Sequence, residues 1–560
     1  MRTLDWIVLI GTLAFIVLYG LYRARGSSTV NGYLLAGRTM PWYAMALSIM
    51  ATQASAITFI STTGQAYVDG MRFVQFYFGL PIAMVIIAAT AVPIFHRTNV
   101  YTAYEYLEKR FDSKTRTLVG AIFLIQRGLG VGIALAAPAI VLTVILGWPD
   151  RLTMLVTGAV VITYTVLGGI KAVTWTDVQQ MIIIFVGLVV ALFTAVRLLP
   201  AGVSFHDAVS LAGAAGKLNV VDLSFDLNNR YNIWSGLIGG TFLFLSYFGT
   251  DQSQVQRYLT GKSIAQSRLS LLFNAVAKIP MQFLILFTGA IVFVFYIYER
   301  PPLLFAPADL KTIQSSAAYK PVEDRYRSAF EQRKEAADRL LHASGAAGSA
   351  AESLAAYRAA QKSLDGARAE GVNLVKTATG STSFNDANYI FLSFVTRYMP
   401  AGIVGLILAA ILGAAMSSIA GEINSLATVS VIDIYRRHVR SGASDRHYLW
   451  ASRGATAFWG CYAVIFAQYG RNLGSLIEAV NVVGSLFYGG MLGVFVLAFA
   501  FPRVRGNAAF TGVLAGEAAI FYAHFGTTVS FLWYNVIGCI VVVSVGLLLS
   551  AFQEGPQAAR

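Results

Sequence analysis

Residues 402–437, GIVGLILAAILGAAMSSIAGEINSLATVSVIDIYRR, decide how this chain is read. An otherwise apolar span carries Ser417, Ser418, Glu422, Asn424 and Ser425 where lipid demands hydrocarbon, then ends in Asp433, Arg436 and Arg437. Polar side chains at bilayer depth are costly, so they face a cavity and mark a substrate or ion path. Adjacent hydroxyls suit a small hard cation, which prefers several oxygen ligands at close range. The competing reading is helix contact, because small and hydroxyl residues also line ordinary interhelical seams.

The rest of the chain agrees with a membrane setting. Of 560 residues, 56% are apolar and 12% charged, and runs of about 20 apolar residues recur along nearly the whole length. The formal charge of +14 sits in short loops between those runs, which argues against a nucleic-acid surface. Cys461 and Cys539 both lie in apolar segments and imply no disulfide framework. Residues 5–22 lack an early basic region and a small-residue cleavage site, so they read as a retained span rather than a signal peptide.

Windows of about 19 residues give thirteen candidate spans, at 4–23, 43–67, 74–97, 115–147, 150–170, 174–199, 232–257, 266–298, 402–435, 447–469, 474–502, 508–526 and 530–552. Alternate short loops carry Arg23, Arg25 and Arg38; Arg97, Lys109, Arg110, Lys114 and Arg116; Lys171; Arg257, Lys262 and Arg268; Arg436, Arg437, Arg440 and Arg446; and Arg503 and Arg505. Their counterparts are nearly bare, with Arg151 and Arg471 the main exceptions. The positive-inside rule makes the first series cytoplasmic, which sets the N-terminus outside and the C-terminus inside. Residues 300–401 differ: PVEDRYRSAFEQRKEAADRLLHA and its neighbour at 349–370 predict a charged helical hairpin broken at GAAG. That outer insertion reads as a solvated excursion, with a lid or a docking place for an extracellular partner as the alternative.

Two spans carry internal breaks. MATQASAITFISTTGQ (50–65) interrupts the second span with small and hydroxyl side chains, and SYFGTDQSQVQRYL (246–259) interrupts the seventh. Opened helices expose backbone carbonyls, which the bilayer tolerates only beside protein or a water-filled cavity. Discontinuous helices at mid-depth are how many secondary transporters build their sites.

With YLLAGR (33–38), TAYEYLEKRF (102–111), LGGIKAVTWTDVQQ (167–180), GTDQSQVQRYL (249–259), AAMSSIAGEINS (414–425) and VIDIY (431–435), the chain resembles the sodium:solute symporter family (solute carrier 5-like) over most of residues 30–505. The resemblance implies an all-α polytopic membrane protein with a LeuT-type inverted repeat of five plus five helices. On that division residues 1–42 are an extra span and cytoplasmic loop, 43–199 the first repeat, 200–299 with 402–502 the second, 300–401 the insertion, and 503–560 two peripheral spans and a short tail. It also implies a sodium site made of the carbonyls of Ala51, Ala54 and Ala414 with the hydroxyls of Ser417 and Ser418, and a sodium exit at Asp177. A loop-end carboxylate near Lys171 is the other reading of Asp177. Relatives that bind a second sodium carry hydroxyls where this chain has Ala420 and Gly421, so one sodium per cycle is expected.

The segment IQRGLGVGIALAAPAIVL (125–142) resembles the branch that moves monocarboxylates, anionic vitamins and iodide, and Tyr77 and Phe244 stand where sugar carriers place polar groups. Arg127, deep in an apolar span, offers a planar fork for a carboxylate. Snorkelling, or an internal pair with Glu478 or Glu422, competes with that role. Thr58, Gln75, Gln126, Glu478 and Asn481 complete the candidate solute contacts, and Tyr247 matches an aromatic that closes the cavity toward the cytoplasm. The expected protein is a plasma-membrane symporter importing a small carboxylate-bearing solute by alternating access, with Na+ as coupling ion and no cofactor. Proton coupling is the alternative. A fluxless sensor would usually continue into a signalling module, and only QEGPQAAR follows residue 552. The six scattered histidines offer no ligand spacing for an enzyme.

Overall fold

The computed structural model describes residues 1–23, 29–343, 347–380, 384–468 and 475–552. Arg25, Arg471, Gly345 and Ala346 of the GAAG turn, and the QEGPQAAR tail lie outside those residues. Everything regular among the described residues is helical, apart from one isolated bridge between Met40 and Gly261. The principal helices are α1 (Thr3–Arg23), α2 (Trp42–Gln53), α3 (Ala56–Asp69), α4 (Met71–Thr98), α5 (Ser113–Leu146), α6 (Asp150–Arg197), α7 (Ser235–Gly249), α8 (Gln252–Leu259) and α9 (Ile264–Tyr298). They continue as α10 (Tyr319–His342), α11 (Ala347–Thr379), α12 (Ala387–Tyr398), α13 (Ile403–Val439), α14 (Asp445–Ala467), α15 (Leu476–Ala500), α16 (Gly506–Gly526) and α17 (Phe531–Phe552).

Local chemistry starts these helices where the loops end. Asp112 accepts the N–H of Thr115 at the head of α5, Ser263 that of Gln266 at α9, and Ser444 that of His447 at α14. Each cap satisfies a donor that the first helical turn would otherwise leave bare.

Among the described residues, nine helices are long and apolar enough to cross a membrane, or ten if the bent pair α2–α3 is one span. Three places account for the difference from thirteen. Segments 150–170 and 174–199 fall in the single stretch α6, 232–257 is covered by the shorter α7, and 447–469 becomes α14, which carries Arg446, His447 and Arg453. Helix α6 is nonetheless interrupted: Gly169 has φ 58° and ψ −170°. A Cβ there would stand 2.7 Å from the carbonyl oxygen of Tyr33, so only glycine permits both the reversal and the close approach.

Both expected breaks occur. Helix α2 stops at Ala54 (φ −96°, ψ 51°), Ser55 is extended, and α3 departs at 53°. Helix α7 ends at Thr250 (φ −131°), and Asp251 restarts the chain by capping Ser253 with its own carboxylate. No proline sits at either break, so small residues and local side-chain acceptors do the interrupting.

The hairpin of residues 300–401 is helical over Tyr319–His342 and Ala347–Thr379, and it is less solvated than its charge implied. Leu303, Leu304, Ile313, Tyr326, Phe330 and Leu364 form a separate apolar cluster inside it. Arg333, 1% exposed, donates to the carbonyl of Tyr296 at the end of α9. Arg368 grips Asp386 at 2.6 Å, and Asp386 also accepts the Phe305 N–H at 2.7 Å. Arg333 thus ties the insertion to the span bundle, while the Arg368–Asp386–Phe305 contacts hold the insertion together internally.

Candidate functional site

The first break opens on a chamber that the second broken span also lines. Its wall takes Thr52, Gln53, Ser55 and Thr58 from α2–α3, Phe76 and Tyr77 from α4, Arg127 and Gly130 from α5, Phe244 and Tyr247 from α7, Ser418 and Glu422 from α13, and Ile477, Asn481 and Tyr488 from α15. Of the expected solute contacts, Thr58, Arg127, Tyr247 and Asn481 line it. Gln75, Gln126 and Glu478 are not in its wall.

Two of those three are engaged elsewhere. Gln75 donates to the Tyr231 carbonyl at 3.0 Å and accepts the Asp222 N–H at 2.9 Å. Glu478 meets Arg230 at 2.5 Å and the Tyr231 hydroxyl at 3.3 Å, so it does not pair with Arg127. Gln126 is buried with its carbonyl oxygen unpartnered.

Arg127 is the hub of the chamber. Its Nη1 reaches Glu422 Oε1 at 3.1 Å, and its Nη2 binds Asp251 Oδ2 and donates to the Tyr488 hydroxyl at 2.8 Å. Tyr488 in turn donates to Asp251 Oδ2 at 3.1 Å. The guanidinium carbon lies 5.5 Å from the Tyr247 ring centre. Of the readings open for Arg127, the internal pair with Glu422 is the arrangement adopted here, with Asp251 as a second carboxylate. One guanidinium faces two carboxylates, a formal excess of one negative charge, and Glu422 Oε2 has no hydrogen-bond partner. Asp251 escaped the sequence reading although it sits at the second break inside GTDQSQVQRYL. Its signal was an acidic residue where an apolar span is interrupted. Tyr488 carried no such signal.

The hydroxyl pair on α13 stands against the first break. Ser418 Oγ lies 3.5 Å from the Ala51 carbonyl oxygen. The last regular bond of α2 is Ala54 N–H to Met50 O at 2.8 Å, and the extended Ser55 ends the ladder there. Ser417 is 1% exposed and its Oγ has no hydrogen-bond partner among the described residues. Ala51, Ala54 and Ala414 are equally buried, at 2%, 0% and 1% exposure. A buried hydroxyl without a partner costs about 1–3 kcal/mol, so this position fits an absent oxygen-seeking ligand.

Asp177 is fully buried beyond Gly169 rather than at a loop end near Lys171. Ser48 donates to its Oδ2, and Arg257 Nη2 of α8 stands 3.8 Å from the same oxygen, leaving Oδ1 unpartnered. A Cβ on Gly421 would come within 2.3 Å of Arg257 Nη2, so the missing side chain at 421 is what admits the guanidinium. Gly413 packs on Gln180, and Gly421 packs on Arg257. Ser417, midway between them on the same helical stripe, therefore faces the Asp177 side of α6.

A family model described as the sodium:solute symporter family matches residues 33–306 and 367–516. The chain is 28% identical to the sodium-coupled monocarboxylate transporter 1 of Homo sapiens, over 94% of this chain and 74% of that one. It is 27% identical to the sodium/sialic acid symporter NanT of Aliivibrio fischeri (98% and 92% covered) and 27% identical to the sodium-dependent multivitamin transporter of Oryctolagus cuniculus (94% and 71%). A solved substrate-bound, outward-open Na+-coupled sialic acid symporter superposes with a TM-score of 0.77, covering 99% of this chain and 98% of that one at 24% identity.

Proposed function

The chain belongs to the sodium:solute symporter family, and on that premise we propose that it imports a small carboxylate-bearing solute with one sodium ion, using the chamber between its two broken spans. It is a multi-pass protein of the plasma membrane that couples solute entry to sodium. The observation that carries the sodium site is the unpartnered Ser417 hydroxyl beside Ser418, which itself approaches the open carbonyl of Ala51. In this reading Ala51, Ala54, Ala414, Ser417 and Ser418 offer five neutral oxygens. Neutral dipoles hold a monovalent ion weakly enough to let it go.

The full arrangement is thirteen spans with a LeuT-type five-plus-five core, the N-terminus outside and the C-terminus inside. Gly169 separates two of those spans. Outside sodium binds between α2 and α13 and favours the outward-open state, because a ligand shifts the equilibrium only through differential affinity. The solute enters beside Thr58, Arg127, Tyr247 and Asn481. Inward opening past Tyr247 releases sodium toward Asp177, where Arg257 stands ready to take the departing ion's place as counter-charge. With a monoanionic solute and one sodium the cycle is electroneutral. The drive is then the sodium ratio alone, about 1.4 kcal/mol per tenfold.

Purified protein in sealed vesicles, under an imposed sodium gradient, should accumulate one class among short carboxylates, vitamins, amino acids and sialic acid. Uptake that ignores sodium but follows pH would establish proton coupling instead. That second reading draws on Glu422 Oε2, a carboxylate oxygen in the chamber with no partner.

A further inference from the structure

The connection into α7 reads VVDLSFDLNNRYNIW over residues 220–234, and the transport cycle above does not use its apolar members. Val221, Leu223, Phe225 and Leu227 alternate with Asp222, Ser224 and Asp226. The four apolar side chains and Trp234 are 40–71% exposed, whereas Asp222 is half-buried. Asp222 is also engaged, accepting from the Ser224 hydroxyl at 2.6 Å and the Asn229 amide at 3.0 Å. A water-facing loop would be arranged the other way round, and a contiguous apolar edge of this kind marks an interaction surface.

The backbone of this connection is satisfied from within the protein. The Asp222 carbonyl accepts the Ile233 N–H at 2.9 Å, and that of Leu223 accepts the Trp234 indole N–H at 3.2 Å. The Asp226 carbonyl takes the Asn232 amide at 2.8 Å, and that of Leu227 takes the Ser530 N–H at 2.9 Å. A loop in water has no need of such partners, because the solvent supplies them; one at an apolar boundary does. Its level is fixed as well. Ser530 immediately precedes α17, and Thr528 donates to Asn228 Oδ1 at 2.7 Å. The exposed Tyr522 and Phe525 close α16 on the same rim, and Phe225 meets Trp234 edge-on at 5.9 Å. Trp234 leads into Leu237 and Ile238, which face outward one turn along α7.

We propose that residues 221–227 dip into the bilayer surface and anchor the connection into α7 at the headgroup/acyl boundary, with Leu223 and Phe225 as the inserted side chains. Lipid is the occupant because the edge continues without a step into the outward-facing side of α7, and because Phe225, Trp234, Tyr522 and Phe525 form an aromatic rim, the side chains that settle at headgroup level. The anchor bears on the chamber through the same stretch of chain. Its Asp222 N–H and Tyr231 carbonyl hold Gln75 of α4, while Arg230 and the Tyr231 hydroxyl meet Glu478 at the head of α15. The bilayer thus steadies a strap that runs from α4 to α15, whatever the solute and the coupling ion.

The test is a nitroxide spin label on Phe225→Cys, in a background with Cys461 and Cys539 replaced by alanine, with the full chain reconstituted in phosphatidylcholine vesicles. Relaxation of the label by oxygen, which concentrates in lipid, is compared with relaxation by a water-soluble nickel chelate. Oxygen should dominate at Phe225, at a depth of about 5–10 Å into the boundary. The same label on Glu331→Cys, exposed on the hairpin, should respond to nickel instead. If Phe225→Cys does not fold, Leu223→Cys is read in the same way. Dominant relaxation by nickel at the loop, as a water-facing edge awaiting a protein partner would give, overturns the proposal. Exclusion of both reagents, with a spectrum that sharpens on dilution with unlabelled protein, also overturns it and assigns the edge to a second copy of the chain.

Discussion

Ser418 and Arg127 are the two side chains whose loss is easiest to read. Ser418→Ala deletes one neutral oxygen near the Ala51 carbonyl, and should raise the sodium concentration for half-maximal uptake about tenfold, roughly 1.4 kcal/mol. Solute affinity at saturating sodium should change little, and an unchanged sodium dependence would remove Ser418 from the ion site. Arg127→Lys keeps the charge but cannot reach Glu422, Asp251 and Tyr488 together, because an ammonium lacks the planar fork. Uptake should be abolished while the protein still elutes as a folded species. Arg127→Met would strand two carboxylates in the chamber and should destabilise by about 3–5 kcal/mol. Legibility at this scale was uneven. Arg127, Ser417 and Ser418 stood out because their chemistry contradicts an apolar neighbourhood. Gln75 and Glu478 stood out for the same reason, yet face other partners: polarity in a span says that a partner exists, not which one.

The helices owe their breaks to local backbone chemistry. At Gly169 the positive φ and the Tyr33 carbonyl both forbid a side chain. Gly169→Ala should therefore lower stability by at least about 1–3 kcal/mol, measured as a drop in Tm of the solubilised protein. Gly421→Ala tests a different contact, since its Cβ would push Arg257 away from Asp177. The expected result is slowed sodium release, seen as reduced turnover with a near-normal half-saturating sodium concentration; a normal turnover would show that the Arg257 position is immaterial. Both interrupted helices were legible from runs of small and hydroxyl residues. Span counting fared less well, because a hydropathy window treats α14, with its two arginines and a histidine, like any apolar segment. The same window cannot tell whether Gly169 ends a helix or bends it.

Two predictions concern the whole molecule. With one sodium and a monoanionic solute, an inside-negative potential of 100 mV imposed on vesicles should leave initial uptake unchanged. A second sodium would add about 2.3 kcal/mol of drive and a clear stimulation. The proposed topology would make the hairpin extracellular. A single cysteine at exposed Glu331, in a background with Cys461 and Cys539 replaced by alanine, should react with an impermeant maleimide on intact cells. Protection there, with labelling only after permeabilisation, would invert the orientation.

The chain's composition and spacing determined that it crosses the membrane many times, that two of its helices break, and that hydroxyls on residues 417 and 418 sit at depth. Those are consequences of local hydropathy and backbone propensity, which each segment carries by itself. Only the tertiary structure decided that Asp251 and Glu422 share Arg127, and that Arg257 slips past Gly421 toward Asp177. Charge pairing inside a bundle depends on which helices meet and at what register. No single segment contains that information.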